Sequence, residues 1–101
     1  FLFLAPFSSP QTSILPFFDN SFSIIKTPGH TPGSVCIYSK RQEILISGDT
    51  LFRSGIGRTD FTYASRSMLE QSLELLKKLP PKTIVYPGHG GSTYIEDEFG
   101  V

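Results

Sequence analysis

A short apolar run that ends in Gly-Asp constrains this chain more than any other feature of its sequence. The run covers Ile44–Ser47, and Gly48 and Asp49 follow it directly. Such a run before a glycine is typical of a short buried β-strand. The strand would hold the Asp49 carboxylate rigidly, while the loop after it would leave the carboxylate accessible. We therefore expect Asp49 to be a functional residue at a strand end.

The chain has two histidines, and glycine and proline surround both of them. His30 lies in Thr27–Ser34, which reads TPGHTPGS, and His89 lies in Tyr86–Gly91, which reads YPGHGG. Imidazole nitrogens and carboxylate oxygens are usual ligands of zinc, and they also bind iron and manganese. Taken singly, a loop histidine is more often a plain surface residue, and Gly-Asp after a strand is often only a turn. Taken together with Asp49, the two histidines favour a metal site.

Size and composition indicate one small globular domain. The chain has 101 residues, 39% hydrophobic and 13% aromatic, and its nine basic and nine acidic residues cancel. This balance gives no reason to expect a nucleic acid or a membrane surface as partner. The apolar start, Phe1–Phe7, is too short to span a membrane and has no basic flank. With no targeting segment visible, we expect a cytoplasmic location, with an organelle as the alternative.

The single cysteine, Cys36, lies in the apolar stretch Ser34–Tyr38. One cysteine cannot form a disulfide within the chain. A thiol among apolar residues is usually a buried packing group, so we expect this role for Cys36 rather than that of a nucleophile.

Hydrophobic periodicity predicts four strands and no further strand after the fourth. They are expected at residues 21–26, 35–39, 44–47 and 83–86. Residues 52–64 are rich in glycine and charge, so we interpret them as a structured loop. Residues 92–101 are polar and acidic, and they either begin a helix or fray.

One helix is indicated between the third and fourth strands. Ser67 and Glu70 fit the Ser-x-x-Glu pattern of a capping box, and Pro80-Pro81 would end the helix. Its core-facing stripe is expected to consist of five leucines, Leu69, Leu73, Leu75, Leu76 and Leu79.

Three segments together resemble a known family. Thr27–Ser34 (TPGHTPGS), Ser47–Phe52 (SGDTLF) and Tyr86–Gly90 (YPGHG) look like the C-terminal half of the metallo-β-lactamase superfamily. Gly55–Phe61 (GIGRTDF) is similar to the glyoxalase II-like (hydroxyacylglutathione hydrolase-like) hydrolases, and also to the persulfide dioxygenases. The resemblance covers roughly residues 21–100.

The resemblance implies an α/β (α+β) fold, namely half of an αββα sandwich with a mixed sheet and a helix on one face. It implies His30 as ligand of a first metal, His89 as ligand of a second, and Asp49 as the bridging ligand. Asp49 would also be catalytic, because it would position the attacking hydroxide. The expected cofactor is zinc, with two ions in the full-length protein, and iron or manganese are the alternatives.

Arg58 is the candidate substrate-binding residue. In the glyoxalase II group, a basic residue at this position helps to hold the carboxylate of a glutathione thioester. A structural salt bridge between Arg58 and Asp60 is the alternative, and the sequence leaves both open.

The superfamily's His-x-His-x-Asp-His segment has no counterpart in this chain. We therefore expect residues 1–101 to form a single but partial domain, with residues 1–20 as an irregular apolar lead-in. The chain would carry the second half of the metal site of a metal-dependent thioester hydrolase, and would be inactive alone. The expected partner is a small thioester such as a glutathione conjugate.

Two other functions stay open. One is an iron-dependent persulfide dioxygenase that uses the same ligands. The other is an inactive fragment or association module that pairs with a further copy through its exposed apolar N-terminal segment.

Overall fold

The structure is a computed structural model that describes residues 21–100. The predicted lead-in, residues 1–20, lies outside the described residues. Neither helix in the described part is long and apolar enough to cross a membrane. The elements are β1 (Phe22–Lys26), β2 (Val35–Ser39), β3 (Ile44–Gly48), β4 (Leu51–Phe52), β5 (Gly55–Ile56), α1 (Arg66–Lys77), β6 (Ile84–Pro87), β7 (Thr93–Tyr94) and α2 (Ile95–Phe99).

Five of the strands form one mixed sheet, in the order β1-β2-β3-β6-β7. β2 is antiparallel to both β1 and β3, β3 is parallel to β6, and β6 is antiparallel to β7. The parallel step requires a crossover connection, which contains α1. β4 and β5 form a separate hairpin. The predicted mixed sheet with a helix on one face is confirmed.

The core lies between this sheet and the helices. Side chains alternate between the two faces of a strand, so every second residue of β2, β3 and β6 faces the helices. In α1, Leu69 and Leu76 are fully buried, whereas Leu75 is 50% exposed, so its inclusion in the predicted core-facing stripe is wrong. The buried cluster consists of Cys36, Leu45, Leu51, Leu76, Val85 and Ile95.

The opposite face of the sheet is also apolar. Ile24, Ile37 and Ile46 lie side by side in the strand register, and Tyr86 continues the row on β6. Ile37 is 1% exposed and Tyr86 is 44% exposed. A sheet with two apolar faces is typical of an inner layer in a domain of several layers.

The N-terminus of α1 differs from the prediction. Ser65 is the N-cap residue, and its Oγ accepts a hydrogen bond from the Met68 N–H at 3.2 Å. Ser67 lies inside the first turn, so the predicted capping box with Glu70 is wrong. The reason is a tertiary contact: the Ser65 N–H donates to the Gly29 carbonyl at 2.8 Å, which helps to hold Ser65 in the extended conformation that a cap needs.

The C-terminal part contains more structure than the sequence predicts. The predicted last strand is observed as β6, but a further strand, β7, follows it, and α2 agrees with the alternative that residues 92–101 begin a helix. Glu98 of α2 accepts hydrogen bonds from the Thr93 hydroxyl at 2.7 Å and from the Ser54 N–H at 2.9 Å. Through Glu98, these contacts link the β4–β5 turn to β7. Residues 52–64, predicted as a loop, include β5 and the end of β4.

The cap assignment can be tested by comparing two serines. Replacing Ser65 with Ala removes the acceptor for Met68, and we expect the free energy of unfolding to fall by about 1 kcal/mol. Ser67→Ala is the matched control, because this residue caps nothing, and its effect should stay within about 0.5 kcal/mol. Urea unfolding of both variants measures the difference, and a larger loss in Ser67→Ala would contradict the assignment.

Candidate metal centre

The parallel pairing of β3 with β6 places two predicted ligands at one edge of the sheet. Asp49 follows the end of β3, and His89 lies just beyond the end of β6. Between them, the Gly88 N–H donates to the Gly48 carbonyl at 2.7 Å. The Nδ1 atom of His89 consequently lies 3.1 Å from Oδ1 of Asp49.

His30 reaches the same carboxylate from the loop between β1 and β2. The Thr27 N–H donates a hydrogen bond to the Ser34 carbonyl at 2.9 Å, and this bond closes the loop. The Ser72 hydroxyl of α1 donates to the Pro28 carbonyl at 2.8 Å and so ties the loop to the helix. His30 Nε2 lies 3.7 Å from Oδ2 of Asp49.

The structure thus brings all three predicted ligands together, with Asp49 in the middle. Each oxygen of its carboxylate faces a different histidine. The side chain of His30 is 18% exposed, that of Asp49 31% and that of His89 78%. Among residues 21–100, no three His, Cys, Asp or Glu side chains form a ready-made metal cage. The ligand roles therefore stay predictions.

Two glycines allow the backbone to approach Asp49 closely. A Cβ atom at Gly57 would collide with the Asp49 carbonyl oxygen and lie 3.1 Å from the Cβ of His30. A Cβ atom at Gly88 would lie 2.9 Å from Oδ1 of Asp49. Only glycine fits at these positions without displacing the backbone of Asp49 or its carboxylate.

Arg58 forms the salt bridge that the sequence left as an alternative. Its Nε and Nη2 atoms donate to the two carboxylate oxygens of Asp60 at 3.0 and 3.1 Å. This hydrogen-bonded pair raises the pKa of Arg58 and lowers the pKa of Asp60. Both side chains are more than two-thirds exposed, so the guanidinium remains accessible. Its role in substrate binding stays a prediction.

Two phenylalanines beside the histidines have no obvious signal in the sequence. The ring of Phe61 meets His30 edge-on, with centroids 5.2 Å apart, and the ring of Phe52 lies 5.9 Å from that of His89. In the sequence, Phe61 is one aromatic residue in a glycine-rich segment, and Phe52 lies in the segment after the predicted third strand. Only the folded chain brings each of them to an imidazole.

A cavity of about 330 Å³ adjoins the site on the face of the sheet away from α1. Its apolar wall includes Val35, Ile37 and Ile46, and Asp49 and His89 lie at its polar end. The candidate ligands are therefore continuous with the second apolar face of the sheet.

Comparison with known families shows the family of this chain. A family model described as the Metallo-beta-lactamase superfamily matches residues 6–89. The chain belongs to this superfamily. Its members bind divalent metals, which agrees with the donor atoms that converge on Asp49.

Three similar proteins illustrate the relationship. The probable metallo-hydrolase YqgX of Bacillus subtilis is 48% identical over 73 residues, which are 71% of this chain and 35% of YqgX. The hydroxyacylglutathione hydrolase GloC of Haemophilus influenzae is 38% identical over 79 residues, 77% of this chain and 37% of GloC. The crystal structure of TTHA1623 in a di-iron-bound form is 41% identical with a TM-score of 0.76, covering 80% of this chain and 41% of that one. The chain thus spans less than half the length of these relatives.

Beneath the site, this metallo-β-lactamase domain contains a buried group of hydroxyls and one thiol. The Thr27 hydroxyl lies 3.3 Å from that of Thr50 and 3.4 Å from the sulfur of Cys36. The Ser47 hydroxyl donates to the Leu51 carbonyl at 2.6 Å. Because Thr27 precedes the His30 loop and Thr50 follows Asp49, these contacts connect the supports of two candidate ligands.

Cys36 is a buried packing group, as predicted. Burial raises the pKa of its thiol from the ordinary 9.0 to about 11, although hydrogen bonds with Thr27 and Thr50 partly oppose this. The thiol is therefore neutral near pH 7, and the alternative role as a nucleophile is disfavoured.

The raised pKa of Cys36 predicts a loss of stability in alkaline solution. Between pH 9 and pH 11 the unfolded chain releases the thiol proton while the folded chain keeps it, so the free energy of unfolding falls as pH rises. Below pH 9 the contribution is fully present. The total loss should be roughly 2–3 kcal/mol.

Cys36→Ala provides the control for this prediction. The slope of stability against pH should be shallower in the variant, and the remainder is expected from groups such as Tyr38, whose pKa burial also raises. Urea unfolding of both proteins from pH 8 to pH 11 measures the two slopes. Identical slopes would show that Cys36 does not carry the effect.

Proposed function

We propose that the full-length protein is a metal-dependent hydrolase of thioester type, and that this chain supplies the second part of its metal site. The observation that supports this most is the Asp49 carboxylate, whose two oxygens face His30 and His89 separately. A carboxylate in that position is suited to bridge two metal ions.

The donor atoms fit a divalent metal. The His30 Nδ1 atom lies 2.9 Å from the Arg58 carbonyl, which can only accept a hydrogen bond. In the neutral ring the proton therefore resides on Nδ1, and Nε2 keeps the lone pair that a metal needs. His30, Asp49 and His89 would hold the metals, for which we propose zinc, with iron or manganese as alternatives.

The residues of this chain would have separate roles in the reaction. When bound, the metals supply a water molecule that is nucleophilic near neutral pH. Asp49 would orient this water for attack on the thioester carbonyl. The exposed guanidinium of Arg58 would bind a carboxylate of the substrate, with Asp60 keeping the guanidinium in place.

The relatives support a thioester as the substrate, and they also give reason to consider a second candidate function. GloC is named as a hydroxyacylglutathione hydrolase, so a glutathione thioester is the proposed substrate. The di-iron-bound form of TTHA1623 favours iron, and with iron the same ligands would suit a persulfide dioxygenase. Oxygen consumption with glutathione persulfide separates the dioxygenase from the hydrolase.

Zinc binding by the chain tests the ligand assignment. Three ligands hold zinc only weakly, so we expect at most one equivalent in calorimetric titration and little metal after extensive dialysis. Asp49→Ala should abolish this binding, because it removes the residue between the histidines. Asp97→Ala, which removes an exposed carboxylate on α2, should leave the affinity unchanged.

The same substitution tests the activity in the full-length protein. Asp49→Ala should abolish hydrolysis of a glutathione thioester, while circular dichroism shows an intact fold. Unchanged turnover would refute the proposed function. A full-length protein that does not hydrolyse the thioester but consumes oxygen with glutathione persulfide would favour the dioxygenase.

For the chain by itself, we propose self-association through the apolar segment before residue 21. An association module gains stability with concentration, so its melting temperature should rise on a hundredfold increase in protein concentration. Replacing Phe17 and Phe18 with Ser should remove that dependence. A melting temperature that is independent of concentration in the parent chain would contradict the proposal.

A further inference from the structure

The segment Gly57–Phe61 encloses His30 on several sides. The Arg58 carbonyl accepts a hydrogen bond from His30 Nδ1 at 2.9 Å, and the backbone at Gly57 is so close that a Cβ there would lie 3.1 Å from the His30 Cβ. The ring of Phe61 packs edge-to-face on the imidazole, with centroids 5.2 Å apart and planes at 74°. A hydrogen bond and an aromatic contact thus act on the same ring.

Phe61 is itself held in place by its neighbours. Tyr63 stacks on it at 5.3 Å with planes at 20°, and the Arg58 guanidinium lies 4.8 Å from the ring centroid. Asp60 fixes that guanidinium through two hydrogen bonds. Arg58 therefore acts on His30 twice, directly through its carbonyl and indirectly through the ring of Phe61.

We propose that Phe61 is a positioning residue for His30. Together with the Arg58 carbonyl it keeps the imidazole in one orientation and in the tautomer with the proton on Nδ1, so that Nε2 faces Asp49. A ring without the Phe61 contact could rotate about its side-chain bonds, break the bond to the carbonyl and exchange the proton between its nitrogens. Outer contacts that orient a ligand histidine typically change metal affinity by about 10- to 100-fold.

The inference rests on the proposed ligand role of His30, but its first readout needs no metal. Nitrogen-15 NMR of the neutral imidazoles reports which ring nitrogen carries the proton. The chain has only two histidines, so the spectrum is simple to assign. In the parent chain we expect separate Nδ1 and Nε2 signals for His30 that correspond to the Nδ1–H tautomer.

Phe61→Ala should move these two signals toward each other and weaken zinc binding at least tenfold. Phe61→Tyr keeps the ring and should preserve both properties. Phe52→Ala is the matched control, because Phe52 contacts His89 and not His30, so the His30 signals should not change. If Phe61→Ala does not fold, as judged by circular dichroism, Phe61→Leu replaces it as an apolar variant without the aromatic contact.

The outcomes separate this inference from the proposed function. Unchanged His30 signals in a folded Phe61→Ala or Phe61→Leu variant would overturn the positioning role, whatever the metal affinity. Signals that converge in those variants support it, even if the parent chain binds no zinc. In that last case the ligand role of His30 would fail, while the control of its tautomer would stand.

Discussion

The parallel pairing of β3 with β6 is the contact on which the candidate site depends. It brings the ends of two strands that are distant in sequence to one edge of the sheet, where Gly88 bonds to Gly48. Asp49 and His89 then face each other because each follows its strand end closely. α1 makes the crossover between these strands, and the same helix holds the His30 loop through Ser65 and Ser72. One βαβ unit therefore positions all three residues.

Rigidity below the site comes from polar groups rather than from apolar packing alone. The hydroxyls of Thr27 and Thr50 and the thiol of Cys36 lie within contact distance of each other, and all three are almost completely buried. Buried polar groups stabilise a fold when they satisfy each other, and they favour one arrangement of the chain over its alternatives. Here that arrangement couples the start of the His30 loop to the turn after Asp49, so the two candidate ligands are not independent of each other.

The sequence predicts the elements that local patterns determine, and it fails where tertiary contacts decide. Strand periodicity and the glycine-proline frames were sufficient to predict four of the five strands of the sheet and to select His30, Asp49 and His89 as candidates. The helix cap was assigned to Ser67 because the local pattern fits there, whereas a hydrogen bond to a distant loop selects Ser65. The contact between Phe61 and His30 could not be predicted for the same reason, since the two rings are far apart in sequence.

The geometry also explains why this part of the chain cannot complete a metal centre with its own side chains. His30 and His89 approach Asp49 from loops at one edge of a single sheet, and the described residues contain no further histidine. Zinc usually takes four ligands in proteins, so a zinc centre held by these residues would need donors from another direction. The side away from α1 offers that direction, because there the cavity beside Asp49 and His89 meets an apolar sheet face. A second layer packed on that face would cover the apolar side chains that are still exposed there, such as Tyr86, and would bring additional ligands toward the carboxylate. The same packing step would then close the core and complete the site.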